Sequence, residues 1–113
     1  MMDINEYQIR ARETAIYYKS RTKNEWYVYP LLGLCGEVGE LQQKFKKIIR
    51  DKEGVISEED VKEIKAELGD CLWYISQMCT DMGYQLNEIA RLNLEKLEAR
   101  KGRGTIGGSG DQR

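Results

Sequence analysis

Apolar residues recur every three to four positions along four segments of this chain, which is the spacing of amphipathic helices. No segment alternates apolar and polar residues in the way that a half-buried strand does. The periodicity predicts four helices, over about residues 3–20, 30–50, 58–82 and 86–100. We therefore expect an all-α, four-helix domain over residues 1–100 and a glycine-rich, non-helical tail over residues 101–113.

Local signals mark several of the expected helix ends. Residues 24–29 are predicted to form a loop, and Pro30 fits the first helical turn, where its missing N–H leaves nothing unpaired. Ser57 and Asp60 resemble a capping box at the start of the third helix. Gly83 fits the left-handed position that ends it.

Composition argues against several classes of partner. A net charge of −1 gives no electrostatic basis for binding a nucleic acid polymer. The longest apolar stretches, around residues 31–35 and 71–75, are too short to span a bilayer, so we expect no membrane partner. The first residues contain no apolar signal core. These features predict a cytoplasmic protein.

Two pairs of acidic residues, Glu37 with Glu40 and Glu67 with Asp70, have the spacing i, i+3 that places both members on one helical face. The chain has no histidine, so any metal site must be built from carboxylates, which favours Mg²⁺ or Mn²⁺ over zinc. Four carboxylates on two facing helices could converge on divalent ions. Spacing alone fits ordinary surface stripes, or ion pairs with lysines of the second helix, equally well.

Three glycines, Gly33, Gly36 and Gly39, lie three residues apart in the second predicted helix. Each lowers helix stability by roughly 1 kcal/mol relative to alanine. Their spacing therefore suggests the close approach of another backbone or of a substrate.

The phrases GEVGEL and ELGDCLWY around the acidic pairs resemble the ExxE–spacer–ExxD signature of the MazG-like, all-α nucleoside triphosphate pyrophosphatase superfamily. The helix order agrees, so the resemblance covers essentially the whole chain. It implies a four-helix MazG-like bundle, assembled as a homodimer or a dimer of dimers. It also implies hydrolysis of nucleoside triphosphates to monophosphates and pyrophosphate, with Mg²⁺, or Mn²⁺ as a substitute. The residues that would bind the metal and carry catalysis are Glu37, Glu40, Glu67 and Asp70.

The chain departs from the family pattern at one position. Many members carry an additional glutamate, a candidate general base, where this chain has Gly36. The base is therefore open, and a ligand carboxylate, Glu37 or Glu40, is our tentative choice.

The resemblance further implies that Asn93 and Lys96 of the last helix bind substrate phosphates. Arg100 lies four residues after Lys96 on the same face and is suited to the same task. Lys44 and Lys47 could also reach phosphate, although a solvated lysine is the better interpretation of each.

The sequence indicates fewer specific contacts with the nucleobase. Gln8, Trp26 and Trp73 are candidates for hydrogen bonding or stacking, but both tryptophans could equally pack in the core or at a subunit interface. Two alternatives to a broad triphosphatase stay open. One is a narrower substrate within the superfamily, dUTP or phosphoribosyl-ATP, and the other is a non-enzymatic helical interaction module.

Overall fold

The computed structural model describes residues 1–17 and 28–113, and its described part contains four α-helices and no strand. The helices are α1 (Ile4–Glu13), α2 (Val28–Lys52), α3 (Glu58–Met82) and α4 (Leu86–Arg103). The predicted all-α class is confirmed. In the described part, no helix combines the length and apolarity needed to cross a bilayer.

Helix α1 is shorter than predicted, because it ends at Glu13 instead of continuing to Ser20. Thr14 terminates it: its backbone N–H and its hydroxyl both donate to the carbonyl of Ala11, at 3.1 and 2.7 Å. Both bonds satisfy the helix end locally and turn the chain away. Ser20 itself lies outside the described residues.

Other helix ends also differ from the sequence prediction, and α2 continues two residues beyond the predicted Arg50, to Lys52. Helix α2 begins at Val28, so the loop predicted to reach Tyr29 is too long, although Pro30 still lies in the first turn. Helix α4 runs to Arg103, three residues beyond Arg100 and into the predicted tail, and ends at Gly104. Gly104 has φ 74°, a left-handed conformation that glycine adopts without steric cost.

The predicted capping box at α3 is confirmed. The Ser57 hydroxyl accepts from the Asp60 N–H at 3.1 Å, and the Asp60 carboxylate accepts from the Ser57 N–H at 3.0 Å. Lys52, at the end of α2, donates to both Asp60 oxygens at 2.9 Å. The backbone hydrogen bond from Ser57, followed by the Lys52 ammonium, lowers the pKa of Asp60 to about 2. These bonds fix the connection between α2 and α3 and therefore the register of their acidic residues.

Helices α2 and α3 form an antiparallel hairpin, which is the most extensive packing in the described part of the chain. Lys44 forms an ion pair with Glu63 across it. Further along, a Cβ added at Gly33 would lie 2.1 Å from a ring carbon of Tyr74. Gly33 thus leaves the space that the Tyr74 ring occupies, so at this glycine the close neighbour is a side chain and not the predicted backbone or substrate.

We expect Gly33→Ala to lower the free energy of unfolding by about 1–2 kcal/mol. Overpacking against the Tyr74 ring costs about 1–3 kcal/mol, and the better helix propensity of alanine returns up to about 1 kcal/mol. Gly36→Ala is the matched control, since a Cβ there meets nothing within 4 Å, and it should stabilise by up to about 1 kcal/mol. Denaturant unfolding measures both, and equal effects would contradict the assignment.

A buried polar network joins α1 and the residues after it to the last turns of α3. The side chain of Asp81 has 0% exposure, forms an ion pair with Arg12 at 3.0 Å and accepts from the Tyr17 hydroxyl at 2.5 Å. Arg12 also donates to the side-chain oxygen of Gln77 at 2.9 Å. Burial, and then the hydrogen bond to Asp81, raises the pKa of Tyr17 above its ordinary value of 10.0. The network holds α1 against the helix that carries Glu67 and Asp70.

Candidate metal and nucleotide site

Three of the four predicted ligands come together where α2 and α3 face each other. Carboxylate oxygens of Glu37, Glu67 and Asp70 all lie within 4.8 Å of one another. The Oε2 atoms of Glu37 and Glu67 are enclosed by protein, and no group of the described residues donates a hydrogen bond to them. Enclosed acceptors of like charge are unfavourable unless a proton or a cation lies between them.

The crowding perturbs the titration of Glu37. The close approach of the Glu67 carboxylate, with which Glu37 can share a hydrogen bond, raises the pKa of Glu37 to about 7, together with burial and the charges of Glu40, Asp70 and Glu67. A proton on Glu37 relieves the repulsion between these carboxylates. A divalent ion can take the place of the proton, and an all-oxygen donor set with buried, unpartnered atoms fits a hard ion.

The fourth predicted ligand, Glu40, is exposed and lies one helical turn beyond Glu37. It does not belong to the group of three, but its charge contributes to the raised pKa of Glu37. Its carboxylate borders a cleft that Glu67 also lines. Metal binding by Glu40 stays a prediction.

The raised pKa of Glu37 predicts how the metal-free protein responds to pH. Protonated Glu37 favours the folded state, so its contribution to stability is full below its ordinary pKa of 4.5 and is lost as pH rises through about 7. We expect the melting temperature of the metal-free protein to fall across this window. Asp60 titrates near 2 and does not overlap with it.

Thermal unfolding in a chelator between pH 4.5 and 8 checks this expectation, with Glu37→Gln as the comparison. The variant carries no titrating group at position 37, so the difference in melting temperature between the two proteins should change with pH. A difference that is constant across the range would contradict the assignment.

The cleft beside the carboxylates has a volume of about 490 Å³. Its lining combines acidic, amide and basic side chains with two glycines: Gly36, Gly39, Glu40, Gln42, Gln43, Lys44, Lys47 and Glu67. A Cβ added at either glycine would meet nothing within 4 Å, so both face open space rather than another helix. Of the three spaced glycines, two therefore border the cleft and one packs against Tyr74.

The predicted phosphate contacts on α4 bind the chain's own tail. Lys96 Nζ donates to Asp111 Oδ1 at 2.8 Å. Arg100, only 4% exposed, donates to the same oxygen at 2.9 Å and to the Asp111 carbonyl at 2.6 Å. Asn93 is exposed on the same helix. Phosphate binding by these three residues stays a prediction, and Asp111 is a contact that our sequence analysis did not identify.

The tail itself is folded around the last side chain. The Arg113 guanidinium donates to the carbonyls of Thr105, Ile106 and Gly107 at 3.2, 3.0 and 3.0 Å, and also to that of Gly110. These bonds close a compact turn against the end of α4.

Gln8 joins three parts of the fold. Its amide nitrogen donates to the Thr80 hydroxyl at 3.1 Å and to the Tyr84 carbonyl at 2.9 Å. Its side-chain oxygen accepts from the Leu86 N–H at 2.8 Å, which caps the start of α4. The polar groups predicted to contact a nucleobase thus have partners within the chain, and the nucleobase contact stays a prediction.

Trp73 is also engaged within the chain, because its indole N–H donates to the Thr14 hydroxyl at 2.9 Å. Its ring packs edge-on against Tyr17 and Tyr74. The packing alternative for Trp73 is therefore the one that the structure favours. Trp26, the other tryptophan candidate, lies outside the described residues.

A larger cleft, of about 570 Å³, lies between α1 and the turn that joins α3 to α4. Gln8, Arg12 and Tyr84 line part of it, and none of the four predicted carboxylate ligands does. Volume alone does not select a site for phosphoryl chemistry, which needs concentrated negative charge for metal ions. We therefore take the smaller cleft beside the carboxylates as the candidate site.

Comparison with known proteins identifies the family of the chain. Residues 30–104 match the MazG nucleotide pyrophosphohydrolase domain, a range that includes all four predicted ligands. The chain is also similar to the Gene 37 protein of Mycobacterium phage L5, with 45% identity over 114 residues that cover 99% of this chain and 100% of the relative. No solved structure matches the chain significantly.

Proposed function

We propose a reaction for this chain from one premise, that it belongs to the MazG nucleotide pyrophosphohydrolase family. The proposed reaction is the Mg²⁺-dependent hydrolysis of nucleoside triphosphates to monophosphates and pyrophosphate. The observation that carries it is the group formed by Glu37, Glu67 and Asp70, whose oxygens lie within 4.8 Å and include enclosed atoms without a partner. Only cations relieve such a group at neutral pH while keeping all its charges.

Each carboxylate has a role in this proposal. Glu37, Glu67 and Asp70 would hold Mg²⁺, and Glu40 would join them from the adjacent turn. When bound there, the metal would supply neutralisation of the phosphate charge and orientation of the attacking water. Either Glu37 or Glu40 takes the proton from that water. The water oxygen bonds to the α phosphorus, the bond to the α–β bridging oxygen breaks, and pyrophosphate leaves.

Substrate phosphates are also assigned to α4 in this proposal, to Asn93, Lys96 and Arg100. Lys96 and Arg100 bind Asp111 in the structure, so a substrate phosphate has to compete with this carboxylate for them. Gln8 and Trp26 remain proposed contacts for the nucleobase.

Product analysis tests the reaction. The protein is incubated with dATP, dCTP, dGTP, dTTP, dUTP and phosphoribosyl-ATP, with Mg²⁺ or with chelator. Monophosphate and pyrophosphate that form only with metal support the proposal, whereas diphosphate and phosphate would refute it. Turnover confined to dUTP or to phosphoribosyl-ATP would establish the narrower substrate. Absence of both turnover and any thermal response to Mg²⁺ would favour a non-enzymatic interaction module.

We also propose that the chain assembles as a homodimer or a dimer of dimers. Its accessible surface is 8474 Å², whereas a folded monomer of 13.1 kDa exposes about 6,400 Å². Large apolar side chains are exposed along α2 and α3, among them Leu31, Leu32, Val38, Ile49, Leu68 and Leu72. The excess of about 2,000 Å² per chain is on the scale of an obligate interface. Light scattering on a sizing column should give two or four times 13.1 kDa.

A further inference from the structure

We propose that Lys47 binds the pyrophosphate portion of the substrate, the part that leaves in the reaction. This inference rests on the proposed function, because it assigns a residue to one end of the triphosphate. It differs from the assignment of phosphate to α4, since Lys47 lies on α2, in the same cleft as two of the carboxylates.

The cleft places anion-binding and cation-binding groups side by side. Glu40 and Glu67 line it close to the metal carboxylates, and Lys47 lines it further along α2. Gly36 and Gly39 contribute no side chains, so these two positions leave free space along the wall of the cleft that α2 forms. A polyphosphate whose α phosphate lies at the carboxylates can therefore extend along this wall toward Lys47.

Helix geometry places Lys47 on the face of α2 that borders the cleft. Side chains on a helix lean toward its N-terminus, which for Lys47 is the direction of Gln43 and Glu40. Positions 36, 40, 43 and 47 follow the i, i+4, i+7 spacing of a single helical face. Residue 47 thus lies on the face that carries the open glycine and Glu40, and its charge also acts on Asp51, one turn further along α2.

Among the described residues, Lys47 has the available cation in this cleft. Lys44, the other lysine of the lining, forms an ion pair with Glu63. Lys47 is exposed and forms no ion pair or hydrogen bond with another described residue. Lys96 and Arg100 share the Asp111 carboxylate. Lys47 can therefore meet the charge of departing pyrophosphate without first releasing an internal partner.

Binding of pyrophosphate with Mg²⁺, measured by calorimetry, tests the assignment on the intact protein without requiring turnover. Loss of one charge-assisted contact predicts that Lys47→Ala weakens binding by about 10- to 100-fold, and that Lys47→Arg recovers most of it. Lys46→Ala is the matched control, since Lys46 is exposed on the same helix but does not line the cleft. We expect it to bind pyrophosphate as the native protein does.

Inhibition kinetics give an independent measure in the active protein. We expect Lys47→Ala to raise the inhibition constant of pyrophosphate and to leave that of the nucleoside monophosphate unchanged. Equal pyrophosphate binding by the Lys47→Ala and Lys46→Ala variants, or no binding by the native protein, would overturn the assignment. If the native protein binds pyrophosphate through Lys47 but hydrolyses no triphosphate, the proposed reaction fails while this binding site stands.

Discussion

Replacing Glu67 with glutamine should reduce nucleotide hydrolysis by more than about a hundredfold while making the metal-free protein more stable. Outer-shell partners of metal ligands are already worth about 10- to 100-fold, so a ligand is expected to contribute at least as much. The gain in stability follows because Glu67 Oε2 is enclosed near Glu37 and Asp70, and glutamine removes one of three like charges. Opposite effects on activity and stability are typical of a binding site rather than of a packing residue.

Two measurements check this expectation: steady-state hydrolysis, and thermal unfolding during a titration with Mg²⁺. Mg²⁺ should raise the melting temperature of the native protein and have little effect on the variant. Glu59→Gln is the matched control, an exposed glutamate two turns earlier on α3. If Glu59→Gln lost activity equally, or if Glu67→Gln retained the response to Mg²⁺, the metal site would have to lie elsewhere.

Asp81→Ala should lower the free energy of unfolding by about 3–5 kcal/mol, the largest stability effect that we expect. The Asp81 side chain is fully buried and forms an ion pair with Arg12, and removing one partner of a buried ion pair is strongly destabilising. The variant also deprives the Tyr17 hydroxyl of an acceptor at 2.5 Å. A domain of this size has only about 5–15 kcal/mol of stability, so the variant is expected to be marginal.

Denaturant unfolding at pH 7 measures the effect of Asp81→Ala, and Tyr17→Phe tests the same network more gently. Removal of the hydroxyl alone should cost about 1–2 kcal/mol. Glu98→Ala, an exposed acid on α4, should change stability by less than about 0.5 kcal/mol. A loss below about 1 kcal/mol for Asp81→Ala would show that the ion pair contributes little to holding α1.

The sequence predicted helix ends well where a local hydrogen bond sets them. The capping box of Ser57 and Asp60 and the left-handed Gly83 depend only on residues within a few positions. The end of α1 was predicted wrongly because the apolar stripe continues past it: Ala15 belongs to this stripe and is buried although the chain has left the α-helix. The spacing of apolar residues indicates which residues are buried, but it does not indicate whether the backbone between them stays helical.

The same distinction explains which parts of the candidate site were foreseeable. Two acidic pairs at helical spacing, joined by a short connection, suggested that Glu37, Glu67 and Asp70 could meet. The partners of Asp81 and Asp111 were not foreseeable in this way. Tyr17 lies 64 residues from Asp81 along the chain, and Arg100 lies 11 residues from Asp111 across a change of direction. Such pairs leave no periodic pattern in the sequence.

Asp111 binds Lys96 and Arg100, so any phosphate that binds these two cations has to displace its carboxylate. A group tethered by a short segment acts as if present at millimolar effective concentration. A free nucleotide at micromolar concentration therefore competes poorly for this pair and must first be captured elsewhere on the protein. Once the nucleotide is bound at the carboxylates, its phosphates are tethered as well. Their effective concentration near Lys96 and Arg100 is then comparable with that of Asp111, and the phosphates can displace it.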